Sequence, residues 1–343
     1  MSETFQWILG IESSCDETAV ALLNDGHKLA ANLVASQTEL HRAYGGVVPE
    51  LASRQHMETI NYLIDRALED AGITMGMLDG VAVSKGPGLA GALLVGVSTA
   101  KALAYSLELP YVGVNHMEGH IYANWLRNAG EDGDIPFPLL GLIVSGGHTA
   151  LMILEDHGRY RLLGQTRDDA AGEAYDKIAR ALGLGYPGGP VLDKLAAEGD
   201  PGAYKLPRAY LKDDPWGFSF SGLKTAVLNL MNQQTMKNAA ISKADLAASF
   251  QETVTATLTD KTMAAARAFG IGRVLLAGGV AANSGLRRKI TAACEAEGHT
   301  LYIPEPVFCT DNAAMVACAG YYRLKAGFRD DWTLNADPSL GMI

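Results

Sequence analysis

The chain has 343 residues, more than a single hydrophobic core usually organises, so we expect two lobes. Hydrophobic residues make up 48% and charged residues 19%, which excludes a disordered chain or a solvated helical rod. The net charge of −10 argues against a protein that coats nucleic acid, because that requires a basic field. The sequence predicts a cytoplasmic protein on three grounds. Its four cysteines lack CxxC spacing, it shows no basic leader followed by an apolar run, and its apolar stretch at Leu89–Ala104 is too short for a bilayer.

The first predicted elements recur later in the chain. Trp7–Gly26 and Pro138–Gly158 each consist of an apolar strand, a tight polar turn and a second apolar strand. Five residues of the first segment have an identical residue 131 positions later: Leu9, Gly10, Ser14, Thr18 and Ala19. Such agreement favours duplication of one supersecondary unit.

Each half then continues as strand, glycine loop and helix. The first half predicts a strand at Gly80–Ser84 and a helix at Val97–Ser106, and the second a strand at Arg273–Ala277 and a helix at Leu286–Ala296. This alternation predicts two α/β lobes, with a connection at Asn128–Pro138. Ligands of such sheets bind outside the strand ends, so we expect a cleft there.

The two turns of the repeat differ in chemistry. The later one, Val144–Thr149, contains Gly146 and Gly147, whose backbone N–H groups can converge on a phosphate. The earlier one is acidic, with Asp16 and Glu17, and predicts a site for a cation or an incoming amine. Ordinary hairpin turns are the alternative for both.

Three polar residues follow or precede glycine turns in the second half. Asn283 ends Ala277–Asn283 and offers a donor and an acceptor to a base or ribose. Asp176 and Asp193 flank the rigid turn Tyr186–Pro190 and could accept hydrogen bonds from ribose hydroxyls. Helix caps or surface acids are the alternative.

His116 and His120 stand at i and i+4, which on a helix places both imidazoles on one face. Asp311, just before an apolar helix, is the expected third ligand. This set suits Fe²⁺ or Zn²⁺. A zinc peptidase is disfavoured, because Glu118 lies two positions after His116 and would face away from the ion.

Ten motifs in this order resemble those of the TsaD/Gcp/Kae family of tRNA N6-adenosine threonylcarbamoyltransferases, in a pattern that looks bacterial. The motifs are GIESSCDET (Gly10–Thr18), GGVVPELASRQH (Gly45–His56), KGPGLAGALLVG (Lys85–Gly96), NHMEGH (Asn115–His120), VSGGHT (Val144–Thr149), DDAAGEAYDK (Asp168–Lys177), YPGGP (Tyr186–Pro190), FSFSGLKTA (Phe218–Ala226), AGGVAAN (Ala277–Asn283) and TDNAAM (Thr310–Met315).

The resemblance implies an actin-like ATPase (ASKHA) fold with two duplicated α/β lobes around a central cleft. The expected N-terminal lobe comprises residues 1–112 and 322–343, and the expected C-terminal lobe, residues 113–321, holds the metal and the nucleotide. The implied reaction transfers a threonylcarbamoyl group from threonylcarbamoyl-AMP to N6 of adenine 37 in tRNAs that read ANN codons. The implied partners are tRNA, a TsaB-like paralogue and a TsaE-like ATPase, with no membrane.

The implied metal, Fe²⁺ first and Zn²⁺ second, is one ion per subunit held by His116, His120 and Asp311. The residues expected to bind the adenylate are Ile143, Val144, Ser145, Gly146, Gly147, Asp176, Gly189, Asp193 and Asn283. The transfer also needs a group that positions the amine or accepts its proton, for which Asp16, Glu17 and His148 are the candidates.

Two other classes of function stay open from the residues alone. A small-molecule kinase would explain the glycine turns but not the paired histidines, and a non-catalytic nucleotide binder would not need the metal ligands. Local groups of basic residues could contact tRNA, although solvated surface charge is the alternative. These groups are Arg159 with Arg161, Lys205 with Arg208 and Lys212, and Arg287 with Arg288 and Lys289.

Overall fold

A computed structural model describes residues 5–126, 134–185, 187–209, 211–237 and 240–342. The strands are β1 (Trp7–Glu12), β2 (Glu17–Asn24), β3 (Lys28–Ser36), β4 (Gly80–Gly86), β5 (Tyr111–Asn115), β6 (Leu139–Val144), β7 (Thr149–Asp156), β8 (Arg159–Gln165), β9 (Arg273–Ala277) and β10 (Thr300–Tyr302). The α-helices are α1 (Thr38–Arg42), α2 (Pro49–Ala71), α3 (Ala90–Leu107), α4 (His116–Tyr122), α5 (Ala171–Ala181), α6 (Gly188–Ala196), α7 (Ser221–Met236), α8 (Lys243–Phe269), α9 (Ser284–Glu297), α10 (Pro306–Cys309) and α11 (Ala313–Lys325). Short 3-10 helices lie at Met75–Met77, Ala123–Trp125 and Gly279–Ala282.

The chain divides into two compact units, Met1–Pro136 with Thr310–Ile343, and Phe137–Cys309. These boundaries differ from the expected 112/113 and 321/322. Strand β5 completes the first sheet and leads directly into α4, and α11 packs on β1 and β4, so all three belong to the first unit. The expected connection at Asn128–Pro138 lies largely outside the described residues.

The two sheets share one topology, as a duplicated unit predicts. The first has the order β3-β2-β1-β4-β5, and the second, in the same sense, β8-β7-β6-β9-β10. In each, the first strand pairs antiparallel with the second and parallel with the fourth. Gly10 pairs with Ala21 and Gly141 with Met152, so the offset of the sequence repeat is kept in the strand register.

The first sheet is covered on both faces, which explains its continuous apolar strands. Leu9 and Ile11 belong to the core formed with α2 and α3. Gly10, between them, faces α11, where a Cβ would lie 2.3 Å from the carbonyl oxygen of Ala313. Only glycine therefore allows α11 to approach β1 this closely.

Helix α3 begins seven residues earlier than the sequence predicted, directly after Leu89. By length and composition alone it is apolar enough to cross a membrane, and a third of it is buried within the protein. Because it packs on β4 and α2, we assign it to the helical layer of the first unit.

The second unit has its core between its sheet and the helices α5, α6, α8 and α9. Leu142 and Leu276 of the sheet, Ile178 of α5 and Phe250 of α8 are among its fully buried residues. This core fixes the loops that follow β6 and β9, in which the sequence places the glycine turns.

Candidate functional site

The two histidines lie on α4, as the i, i+4 spacing predicted. The side chain of Asn115 caps this helix: its Oδ1 accepts hydrogen bonds from the backbone N–H groups of Met117 (2.9 Å) and Glu118 (3.4 Å). Its Nδ2 donates to the carbonyl oxygen of Gly341 at 2.7 Å, so the C-terminal segment also holds the start of the helix. The histidine side chains are thus fixed by a buried and capped helix.

Asp311 meets both histidines, as expected. Its Oδ1 lies 3.5 Å from Nε2 of His116 and 3.3 Å from Nε2 of His120, and the candidate ligand atoms of the three residues lie within 4.8 Å of one another. Burial alone would raise the pKa of Asp311, but the charge and hydrogen bonds of the two imidazoles hold it well below its usual range. Two imidazole nitrogens and one carboxylate oxygen therefore converge, a donor set that fits a single Fe²⁺ or Zn²⁺ ion.

Glu118 does not join this triad. Its Oε2 accepts two hydrogen bonds from the guanidinium of Arg323, at 3.0 and 2.7 Å. This pairing agrees with the expectation that Glu118 faces away from the ion, so Glu118 is not placed as the base of a peptidase-type mechanism.

Glu12 is a neighbour of the triad that the sequence analysis missed. Its Oε2 lies 3.0 Å from Nδ1 of His116, and its side chain is fully buried at the end of β1. The available signal was a carboxylate at the end of an otherwise apolar strand, since such a group must find donors when the strand is buried.

The acidic turn before β2 is held by α2. The ring of His56 contacts Oγ1 of Thr18 at 2.7 Å and the carbonyl oxygen of Cys15 at 3.0 Å. The backbone N–H of Gln37 also donates to the carbonyl oxygen of Asp16. These bonds bracket Asp16 and Glu17 and give the motif Gly45–His56 a physical role that its sequence did not reveal.

The charge of Asp311, a member of the triad, acts on the carboxyl group of Glu17. Burial, followed by the negative charges of Asp311 and Asp16, raises the pKa of Glu17 to about 8. A carboxyl group with this pKa exchanges its proton close to neutral pH, as a general acid or base requires.

The raised pKa of Glu17 predicts a pH-dependent stability of the metal-free protein. Between pH 4.5, the pKa expected for an unfolded glutamate, and about 8, the folded protein keeps a proton that the unfolded chain releases. This contribution is complete below pH 4.5 and is lost as the pH rises through 8, so E17Q should show a smaller fall in free energy of unfolding from pH 6 to 9. Urea denaturation at both pH values tests this, with the exposed E39Q as control. Parallel curves for E17Q and the wild type would contradict the assignment.

In the second unit, the glycine turn follows β6 as predicted. The backbone N–H of Ser145 donates to the carbonyl oxygen of His148 at 2.8 Å, and the N–H of His148 donates to Oγ of Ser145 at 3.1 Å. Gly146 and Gly147 are exposed, and apart from their chain neighbours no heavy atom of the described residues lies within 4 Å of a Cβ built on either. The two glycines are therefore exposed to solvent in a turn that hydrogen bonds between Ser145 and His148 hold in place.

The side chains of Ile143 and Val144 are fully buried in β6. These two expected binding residues can therefore offer a ligand only their backbone. The helix α5 approaches the same turn: the N–H of Gly172 donates to the carbonyl oxygen of Ser145, and a Cβ on Gly172 would lie 2.6 Å from that oxygen.

The other expected adenylate residues join neighbouring loops of the second unit. Asp176 accepts from the N–H of Gly188, at the start of α6, at 2.9 Å. Asp193 accepts from both the N–H (3.0 Å) and Oγ (2.9 Å) of Ser284. Gly189 is half-buried, with free space beside it. Tyr186 of the same motif lies outside the described residues.

The side chain of Asn283 is hydrogen-bonded within the second unit. Its Oδ1 caps α9 through the N–H of Leu286 at 2.9 Å, and its Nδ2 donates to Oε1 of Gln251 at 2.8 Å. The hydroxyl of Tyr175 donates to the same oxygen at 3.3 Å. Gln251 and Tyr175 were not foreseen, because helix periodicity marks them only as core positions.

Several of the predicted basic groups already have acidic partners. Arg159 and Arg161 contact Glu155, Arg208 contacts Asp260, and Lys289 contacts Glu252. Arg287 donates instead to the carbonyl oxygens of Ala281 and Pro304. The local positive charge available to a polyanion is therefore smaller than the sequence suggested.

Comparisons with known proteins agree with the motifs. Residues 28–318 match the family described as "TsaD: tRNA N6-adenosine threonylcarbamoyltransferase". Curated proteins named tRNA N6-adenosine threonylcarbamoyltransferase from Symbiobacterium thermophilum and Clostridioides difficile are 57% and 52% identical, covering 98% and 97% of this chain and 96% and 97% of theirs.

Solved structures agree with the fold. Full-length HypF has a TM-score of 0.61 at 14% identity, over 95% of this chain and 47% of HypF. The activator of 2-hydroxyisocaproyl-CoA dehydratase from Clostridium difficile has a TM-score of 0.51 at 13% identity, over 94% of this chain and 96% of the activator. These likenesses support the ASKHA fold expected from the sequence.

Proposed function

Because the chain belongs to the TsaD family of tRNA N6-adenosine threonylcarbamoyltransferases, we propose that it transfers the threonylcarbamoyl group of threonylcarbamoyl-AMP to N6 of adenine 37 in tRNAs that read ANN codons. It is a transferase. The observation that carries the proposal is the convergence of His116, His120 and Asp311, which a kinase or a simple nucleotide binder does not require.

His116, His120 and Asp311 would hold the metal, with Fe²⁺ as the proposed resident ion and Zn²⁺ as an ion that the same ligands accept. When bound, this ion supplies a Lewis acid that orients the donor and polarises its carbonyl group. The protein contributes the fixed positions of the ligands on a capped helix and at the start of α11.

We assign donor binding to the second unit. The backbone N–H groups of the exposed Gly146 and Gly147 would hold the phosphate of the adenylate, since consecutive backbone amides form an anion-binding concavity. Ile143, Val144 and Ser145 would line the donor site at the end of β6 that leads into this turn. Asp176, Gly189, Asp193 and Asn283 lie on the loops that would contact the ribose and the base. Their existing hydrogen bonds keep these loops in place before the donor arrives.

In the transfer, the amine of adenine attacks the carbamoyl carbon. A C–N bond forms, the C–O bond to the phosphate breaks, AMP leaves, and the amine loses a proton. The adenine amine is a weak nucleophile because its lone pair is delocalised into the ring, so it requires positioning and a proton acceptor. We assign the acceptor role to Glu17 and a positioning role to Asp16, because both carboxylates lie on the acidic turn of the unit that holds the metal ligands. His148 is the second candidate for the proton.

Loss of Asp16 should separate binding from transfer. D16A removes a carboxylate beside Glu17 and, because Asp16 helps to raise the pKa of Glu17, leaves a weaker base. We expect the donor affinity to change by less than about threefold and single-turnover transfer to fall by about 100-fold, the usual contribution of a positioned proton-transfer group. The exposed E39Q is the control. Unchanged single-turnover transfer in D16A would refute the role.

We also propose the partners and the location. Large apolar side chains are exposed on α2 and α3 of the first unit, at Met57, Tyr62, Leu94 and Tyr105, which suits docking of a TsaB-like paralogue. A TsaE-like ATPase and tRNA complete the assembly in the cytoplasm. Because several basic groups are paired with acids, we expect the isolated chain to bind tRNA weakly.

Reconstitution tests the function. The purified chain, with the two partner proteins, is incubated with synthetic threonylcarbamoyl-AMP and unmodified tRNA, and the nucleosides are analysed by mass spectrometry. Threonylcarbamoyladenosine at position 37 is the expected product. Its absence with folded, metal-loaded protein, or ATP turnover without tRNA by the chain alone, would contradict the proposal and favour a kinase.

A further inference from the structure

Glu12 is a buried carboxylate in an unusual setting. Its side chain is fully buried, and among the described residues His116 is its only ion-pair partner. A buried carboxylate without a lysine or arginine is costly unless hydrogen-bond donors surround it. A carboxylate at this buried position, the end of β1, therefore indicates a polar function that an apolar residue could not perform.

Among the described residues, Glu12 is hydrogen-bonded to a backbone N–H, a hydroxyl group and an imidazole nitrogen. Oε1 accepts the backbone N–H of Ser14 at 2.6 Å, and Oε2 accepts the hydroxyl of Ser84 and faces Nδ1 of His116. A carboxylate only accepts, so Nδ1 of His116 must carry a proton. Oγ of Ser14, 3.2 Å from the same nitrogen, is a weaker additional contact.

The proton on Nδ1 determines what the rest of the ring can do. A neutral imidazole protonated at Nδ1 has its lone pair on Nε2, the nitrogen that faces Asp311. That lone pair is what a metal ion needs. His120 differs: its Nε2 also faces Asp311, but its buried Nδ1 has no hydrogen-bond partner among the described residues.

We propose that Glu12 is a positioning residue for the metal centre, which holds His116 in the tautomer and ring orientation that direct Nε2 to the ion. The two histidines are therefore not equivalent: Nδ1 of His116 faces a carboxylate, whereas Nδ1 of His120 has no hydrogen-bond partner among the described residues. Ser14 and Ser84 fix Glu12 in turn, linking β1, β4 and α4 of the first unit. This inference rests on the proposed metal site and assigns it a residue that the family motifs do not identify as a ligand.

The E12Q substitution tests this sharply because both oxygens of Glu12 meet donors. In E12Q one of these oxygens becomes an NH₂ group, which cannot accept a hydrogen bond. This NH₂ group must face either the backbone N–H donor of Ser14 or the hydroxyl of Ser84 together with Nδ1 of His116. Only the second arrangement can adapt, since the Ser84 hydroxyl can accept and the ring can move its proton to Nε2. That shift removes the lone pair from the nitrogen that should bind the metal.

The experiment measures Zn²⁺ affinity by competition with a chromophoric chelator, using the full chain as wild type, E12Q, E12D and E118Q. We expect Zn²⁺ to bind E12Q about 10- to 100-fold more weakly than wild type, the usual effect of losing such a partner of a metal-bound histidine. E118Q neutralises another buried carboxylate, two residues from either histidine. Because the Glu118 side chain points to Arg323, the Zn²⁺ affinity of E118Q should match that of the wild type within about twofold. If E12Q does not fold, E12D, which keeps the charge but withdraws it by one methylene, should lose about tenfold.

A spectroscopic readout separates orientation from stability. In ¹H–¹⁵N spectra of the Zn²⁺-loaded wild type, His116 should show a slowly exchanging proton on Nδ1. In E12Q at saturating Zn²⁺ this proton no longer faces a carboxylate, so its signal should be lost or broadened by faster exchange with solvent. Wild-type affinity in folded E12Q or E12D, or an unchanged Nδ1 signal in E12Q, would overturn the inference. Failure of the wild type to bind Zn²⁺ would instead refute the proposed metal site itself.

Discussion

D311A should lose stoichiometric metal and, with it, threonylcarbamoyl transfer. Asp311 is the anionic member of the triad and the one whose Oδ1 faces both imidazoles, so its removal leaves two neutral ligands. We expect metal affinity and single-turnover transfer each to fall by at least ~100-fold, more than for a partner that only supports a ligand. Metal content of the purified protein and nucleoside mass analysis measure the two effects.

D65N, an exposed carboxylate on α2, is the matched control and should keep wild-type metal content. D311A should also move the pKa of Glu17 towards its usual value in the metal-free protein, because the charge of Asp311 is among the causes that raise it. Wild-type metal content in D311A would show that the ion is held elsewhere.

G278A should unfold the second unit at markedly lower denaturant than its neighbour G279A. Gly278 has a φ of 92°, a conformation that residues with a side chain rarely adopt, and a Cβ there would lie 2.4 Å from the carbonyl oxygen of Val144. Backbone strain and overpacking together predict a loss of about 3–5 kcal/mol in the free energy of unfolding. Because Val144 precedes the glycine turn, we also expect AMP to bind G278A more weakly than the wild type.

Gly279 offers a closely matched control. It follows directly in the chain, begins a 3-10 helix, and has no heavy atom within 4 Å of a Cβ. G279A should therefore change the free energy of unfolding by less than about 1 kcal/mol. Equal urea midpoints for the two variants would contradict the assigned backbone geometry.

The first unit gives the candidate chemistry a consistent physical basis. The three ligands of the triad, the carboxylate of Glu12 beside His116 and the raised pKa of Glu17 all involve ionisable groups that the first unit brings close together. Burial makes each of these charges costly alone, and their mutual contacts with histidines, hydroxyls and backbone amides offset that cost. The site is therefore built from groups that stabilise one another even without the metal.

The sequence by itself determined the features that depend on local periodicity and glycine turns. The apolar strands of the repeat, the shared face of His116 and His120, and the turn at Gly146 and Gly147 follow from patterns that span fewer than twenty residues. Asp311 was also foreseen, because a carboxylate beside a helix start is a local feature. The ten motifs then identified the family, since so many in one order are specific.

Only the tertiary structure decided the contacts between residues far apart in the chain. Glu12 reaches both Ser84 and His116 because β1, β4 and α4 meet at one end of a sheet, and His56 reaches the acidic turn because α2 packs over β2. The assignment of α4 and α11 to the first unit likewise follows from packing on its sheet. Periodicity shows which face of an element is buried, but the partner of a buried polar group is set by which elements pack together, and that depends on the whole fold.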